Sequence, residues 1–180
     1  MIMKTMYILL IAILTSCSTC KKMNICKDEK LTLNRIEFIG TQLRIDGFYY
    51  GNPDTAWNNI IRFETFVLYR NGILYQTGSE EFDKLESYIE SLAKTSGQNT
   101  KYVWGVFSIE NSTVKIEHWL PAQCGYPVIL RSGEILNDTT FVLRKIVRKD
   151  SQGTTEKDIN QTFYFRHLST KPDSTNNFIK

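Results

Sequence analysis

The sequence predicts an all-β fold, an antiparallel up-and-down β-barrel carrying one inserted α-helix at about residues 79–95. Three observations carry that expectation. Strand-like segments with period-two alternation recur with turn chemistry between them, as in sandwiches and barrels. Aromatics are abundant, with ten Phe, nine Tyr and three Trp in 180 residues, and such residues suit a half-buried pleated surface. One segment alone switches to helical spacing. Closure is preferred to an open sheet because so long a meander would otherwise expose hydrophobic edges.

Residues 1–16 read as a signal peptide rather than part of the fold. Lys4 supplies a positive start, 6–14 form an apolar run, and Ser16 is the small residue before a cleavage point. The run is too short to span a bilayer, which takes about 20 apolar residues. Leu14-Thr15-Ser16-Cys17 has the pattern of a lipobox, so Cys17 is the expected lipidation site and the protein is expected to be exported and membrane-anchored. A plain secretory signal ending near Ser16 is the alternative. Lys21 and Lys22 follow the cysteine with no acidic cluster, which favours a periplasm-facing anchor. Residues 17–30 are polar and Lys-rich, a tether between lipid and domain.

The barrel domain is expected over 31–168. Leu43, Ile45, Gly47 and Tyr49 alternate with Arg44 and Asp46, a half-buried strand, which Gly51-Asn52-Pro53-Asp54 breaks. Segments 62–70 and 73–77 flank Asn71-Gly72, a hairpin signal that favours a type I′ turn. In 79–94, Phe82, Leu85, Ile89 and Leu92 mark one face of a helix; Ser79 suits the cap, Glu80, Glu81, Asp83 and Glu86 the N-terminal dipole, and Gly97 the end. Further hairpins follow: 102–109 with 113–119, then 126–130 with 134–136 around Arg131-Ser132-Gly133, then 140–148 with 159–167 around a polar loop at 149–158. Residues 169–180 are polar and read as a frayed C-terminal tail.

Cysteine usage fits an oxidising compartment. With Cys17 spent on lipid, Cys20, Cys26 and Cys124 remain. Cys26–Cys124 is the expected bridge because Cys20 sits on the tether; Cys20–Cys124 and no bridge are the alternatives.

Composition excludes some functions. A formal net charge of +3 with no block of like charges leaves no electrostatic footprint for nucleic acid. There is no nucleophile elbow, no zinc-protease helix motif and no phosphate-cradling glycine loop, so an enzyme is not expected. Only two histidines, His118 and His167, are present; they are too few and too scattered for zinc, so neither metal nor cofactor is expected. Glu117 should point to the opposite strand face from His118.

The hairpin order, the strand Tyr102-Val103-Trp104-Gly105-Val106-Phe107, the segment Gly133-Glu134-Ile135-Leu136 with Asn137-Asp138-Thr139-Thr140-Phe141 after it, and the late Lys171-Pro172-Asp173-Ser174 together resemble lipocalin-like lipoproteins of Gram-negative bacteria. The resemblance spans about 31–175. It departs from true lipocalins, which carry Gly-x-Trp on the first barrel strand, where this chain has Gly47-Phe48-Tyr49. It implies a calycin-type barrel in the cell envelope with room for an apolar ligand. Tyr49, Trp104, Val106 and Trp119 are the candidate ligand-binding residues, with Trp57 a further aromatic. The expected function is a non-catalytic binding module for a small apolar ligand or an envelope partner. The alternative is a filled barrel acting as an accessory or inhibitor-type interaction module.

Overall fold

The computed structural model describes residues 27–57, 60–95, 99–123 and 125–180; the side chains of 54–61 and 92–95 lie outside that description. Nine antiparallel strands follow in order: β1 (Gly47–Gly51), β2 (Asp54–Trp57), β3 (Ile60–Leu68), β4 (Ile73–Ser79), β5 (Trp104–Glu110), β6 (Thr113–Trp119), β7 (Val128–Asn137), β8 (Thr140–Asp150) and β9 (Gly153–His167). β1 pairs with both β9 and β3, so eight strands close into a barrel, while β2 pairs only with β3. The helix α1 (Leu85–Thr95) follows β4 after a 3-10 turn at Phe82–Lys84. Among the described residues no helix is long and apolar enough to cross a membrane.

Three tight turns define one end of the barrel, its base. The Tyr69–Gly72 turn is closed by Gly72 N–H donating to the Tyr69 carbonyl at 3.0 Å, and Gly72 alone takes positive φ there (+79°). A type I′ turn needs positive φ at both central residues, so the expected turn type is corrected: Gly72 supplies a left-handed position after Asn71, not half of a mirror-image pair. The other two base turns join β5 to β6 and β7 to β8, and Ile135 N–H donates to the Ser112 carbonyl between them at 2.7 Å.

Residues directly opposite in a ladder share a face, and the register therefore sorts the core. Tyr49 faces Phe66, Leu68 faces Leu74, Phe107 faces Ile116, and Phe141 faces Phe163. These side chains fill the barrel with Val114 and Leu143. The segment before β1 is no strand. It passes under the base, where Phe38 and Leu43 plug the opening; Phe38 N–H donates to the Arg70 carbonyl at 2.7 Å, and the Phe38 ring lies 5.9 Å from that of Phe107. The expected strand at 43–49 thus begins at Gly47, because Leu43 and Ile45 bury against the base rather than in a ladder.

A second core lies outside the wall. Phe48, Val67, Tyr75 and Trp104 pack against Leu85 and Ile89 of α1. The helical face was legible from its spacing, but Ser79 ends β4 instead of capping α1, and its Oγ accepts the Glu81 N–H at 3.2 Å. The expected frayed tail at 169–180 is docked: Phe178 and Ile179 pack on this outer cluster, and Lys171 Nζ donates to the carbonyls of Ile45 and Leu68.

Two expected turns are strand instead. Arg131-Ser132-Gly133 lies inside β7, with a bulge between Ser132 and Gly133. Glycine there marks a close approach, since a Cβ on Gly133 would sit 1.9 Å from the Val142 carbonyl oxygen. The polar stretch 149–158 belongs to a long β8–β9 hairpin whose residues 151–158 are exposed. Its polarity reflects two solvated faces, not a loop.

Candidate functional site

The end opposite the base is the mouth, and the inward side chains change character there. Glu64 of β3, Gln76 of β4, His118 of β6, Arg131 of β7 and Gln161 of β9 occupy inward positions above the aromatic layer, as the pairs Glu64–Gly78, Phe66–Gln76, Gly105–His118, Ile116–Arg131 and Leu143–Gln161 require. Glu64 and His118 each face a glycine across the ladder. A Cβ on Gly105 would lie 2.6 Å from that of His118, so the glycine makes room for the imidazole.

Glu64 sits at the centre. Arg131 Nη1 donates to its Oε2 at 2.5 Å, Gln161 Nε2 to the same oxygen at 3.3 Å, and Gln76 Nε2 to Oε1 at 2.7 Å. The Arg131 and Glu64 side chains are 10% and 17% exposed, so both reach the solvent boundary while most of the pair is withdrawn from water. Burial raises the Glu64 pKa, but the Arg131 guanidinium outweighs it and holds the carboxyl below its ordinary value. The site is therefore an ion pair with no net charge.

His118 is fully buried. Its Nδ1 lies 2.9 Å from the Trp119 carbonyl; a carbonyl only accepts, so Nδ1 carries the proton and Nε2 presents a lone pair. Burial, reinforced by Arg131, pushes the His118 pKa down to about 4 from 6.5, against the pull of Glu64. Among the described residues, His118 Nε2 and Arg131 Nε have no hydrogen-bond partner. Both groups flank the Phe66 ring, at 6.3 Å between ring centroids for His118 and 5.8 Å from the guanidinium carbon for Arg131.

This arrangement makes stability pH-dependent with a definite sign. A base whose folded pKa lies below its unfolded value binds fewer protons in the native state, so stability is complete above about pH 6.5 and falls as pH drops towards 4. Glu64 acts in the same direction at lower pH. The His118 contribution is expected to be on the order of 3 kcal/mol, and His118→Phe should flatten the Tm-against-pH profile between pH 6.5 and 4. An unchanged profile would mean that the imidazole meets water in the folded state.

Glu117, one residue along, faces outward as alternation requires. It accepts Thr32 N–H at 2.7 Å, Thr32 Oγ1–H at 2.8 Å and Leu33 N–H at 2.6 Å, binding residues 27–38 to the outer wall as a strap. Nearby, Lys101 bridges to Asp28 at 2.6 Å and lies over the Trp119 ring at 4.4 Å, and Trp119 Nε1 donates to the Glu29 carbonyl. A groove of about 480 Å³ runs between strap and C-terminus, lined by Leu31, Val106, Trp119 and Phe178 among others.

The structure separates the four aromatic and apolar residues expected to line one cavity. Tyr49 points inward and donates its hydroxyl to the Arg44 and Asp138 carbonyls, at 3.0 and 2.9 Å. Trp104, Val106 and Trp119 are on the outer wall: Trp104 packs on Tyr69 and Tyr75, while Val106 and Trp119 line the groove. The cause is strand parity, because Phe107 and Ile109 take the inward positions of β5. Cys17, Cys26 and Cys124 lie outside the described residues, as does the Trp57 side chain. The mouth cluster escaped sequence reading. Its signal was polar residues at inward-parity positions of apolar strands, as in Val114, Ile116, His118.

Among the described residues, no group of three or more His, Cys, Asp or Glu is placed to hold a metal. No family model matches the chain, and no curated protein or solved structure matches it either.

Proposed function

We propose that this protein is a non-catalytic binding module of the lipocalin-like class, held at an envelope membrane by lipid on Cys17 and recognising a small molecule at the barrel mouth. One observation carries the reading: a closed eight-stranded barrel is packed with aromatics at its base, yet presents at its mouth buried polar groups that have no partner among the described residues. Barrels of this size are either filled or hold one small ligand. Here the filled half argues against a deep apolar cargo, and the polar half supplies the few oriented groups that ligand sites use. Glu64 is engaged by three donors, which suits recognition better than proton transfer.

The anchor fits this arrangement. Lys27 lies against Gly125, where a Cβ would come 2.6 Å from the Lys27 carbonyl oxygen; Glu29 N–H donates to the Tyr126 carbonyl, and Tyr126 N–H to Asp28. The described chain therefore begins at the mouth end.

Native mass spectrometry of the full-length protein, purified in mild detergent from its own envelope, tests the reading. The expected result is an acylated protein that lacks two thiol hydrogens and carries a small-molecule mass lost on denaturation. Cys17→Ala should leave unprocessed or soluble precursor. A mutant still recovered from membranes in mature form would overturn the anchor, and the absence of any bound mass would overturn the small-molecule half. That second outcome would favour a protein-interaction module, for which the exposed Ile36, Ile39 and Leu136 at the base end are the observation in favour.

A further inference from the structure

We infer that the mouth cluster recognises a neutral hydroxyl group, so that the ligand belongs to the uncharged polyol or sugar class. The inference rests on the binding-module reading and narrows its chemistry. It follows from what the cluster has left unspent. Three donors take up the Glu64 carboxylate, and Arg131 is matched by that charge. What remains buried is one acceptor, the His118 Nε2 lone pair, and one donor, Arg131 Nε–H. His118 pairs with Ile129 and Arg131 with Ile116, so the two are diagonal neighbours on adjacent strands, within reach of one another for long and aromatic side chains.

A hydroxyl complements that pair: its proton goes to His118 Nε2 and its oxygen accepts from Arg131 Nε–H. Other chemistries fit worse. A carboxylate has no proton for Nε2, and a carboxylate or a phosphate meets the Glu64 charge. An ammonium group has the proton but faces the guanidinium. An apolar group leaves both partners unpaired in a site where each unmade bond is costly. The Phe66 ring beside both groups is itself fully buried and closes the inner side of the site with an apolar wall. Arg131 and Glu64 reach the solvent boundary, so the approach runs from the mouth.

The test is a titration of the full-length protein in a zwitterionic detergent that itself carries no hydroxyl, following the ¹⁵N resonances of the His118 ring. The probes are glycerol and D-glucose, set against acetate and methylammonium. A saturable Nε2 shift with a hydroxyl probe, absent with both ions, is expected. His118→Phe should weaken that probe at least about tenfold, the scale of one lost hydrogen bond at a buried group, while leaving Tm at neutral pH unchanged or higher. His118→Gln, which retains an acceptor, should recover part of the affinity. No saturable shift from either hydroxyl probe would mean a resident water only and would overturn the inference, as would unaltered binding in His118→Phe or a Tm lowered by that change. The failure is distinguishable from that of the broader reading: an apolar or ionic adduct in the native mass spectrum would sink the hydroxyl assignment and leave the binding module standing.

Discussion

Glu64→Ala is expected to cost about 3–5 kcal/mol of folding stability, the range for removing one partner of a buried ion pair. The loss arises less from the missing attraction than from what is left behind. Arg131 would remain with its Nη1 donor unmade and its Nε already without a partner among the described residues, in a barrel interior where the guanidinium cannot leave its strand. Gln76 and Gln161 would lose their acceptor as well. Glu64→Gln should cost less, since an amide oxygen still accepts from Arg131. The double change Glu64→Leu with Arg131→Met should recover most of the loss, because apolar replacements of a buried pair are often neutral or stabilising. Urea denaturation of the three variants, read at constant m-value, separates these outcomes. A Glu64→Ala cost under about 1 kcal/mol would place the pair with solvent-screened surface bridges and remove the physical basis for a desolvated site at the mouth.

Much of the architecture was legible because alternation and turn chemistry act locally. Asn71-Gly72, the β5–β6 hairpin and the Leu85–Ile89 helical face each follow from a few neighbouring residues. What failed depends on partners distant in sequence. Gly133 looks like a turn residue until the β8 backbone is seen to occupy the space a Cβ would need. The polar run at 149–158 looks like a loop until its two strands are paired beyond the barrel wall. Period two likewise reveals that a strand has two faces without saying which is inside. Spacing alone therefore groups Trp104 with Tyr49 as ligand candidates, whereas α1 covers the outer wall and makes that face equally apolar. The mouth cluster was hidden for a related reason: Glu64, His118 and Arg131 are far apart in the chain, and only the barrel register brings them to one level.

Phe163→Ala is expected to cost about 3–5 kcal/mol, at the upper end of large-to-small core changes. Phe163 is fully buried on the barrel axis; its ring lies 5.0 Å from Phe66 and 5.0 Å from Phe141, nearly parallel to the latter at 12°. Those neighbours belong to strands on different sides of the barrel, and they are themselves held: Phe66 opposite Tyr49 on β1, and Phe141 against the Tyr49 ring at 5.0 Å. A closed sheet cannot narrow by moving one strand, since every strand is hydrogen-bonded on both sides, so the void left by the ring should persist instead of collapsing. Phe165→Ala provides the comparison. That ring is only partly buried, with the Arg44 guanidinium over it at 4.4 Å, and its loss should cost clearly less. The ratio of the two costs, from denaturation midpoints, bears on function as well as stability. A Phe163→Ala cost near that of Phe165→Ala would mean that the aromatic layer rearranges readily. A barrel that yields in that way can open space for an apolar guest, and recognition would then not be confined to the polar mouth.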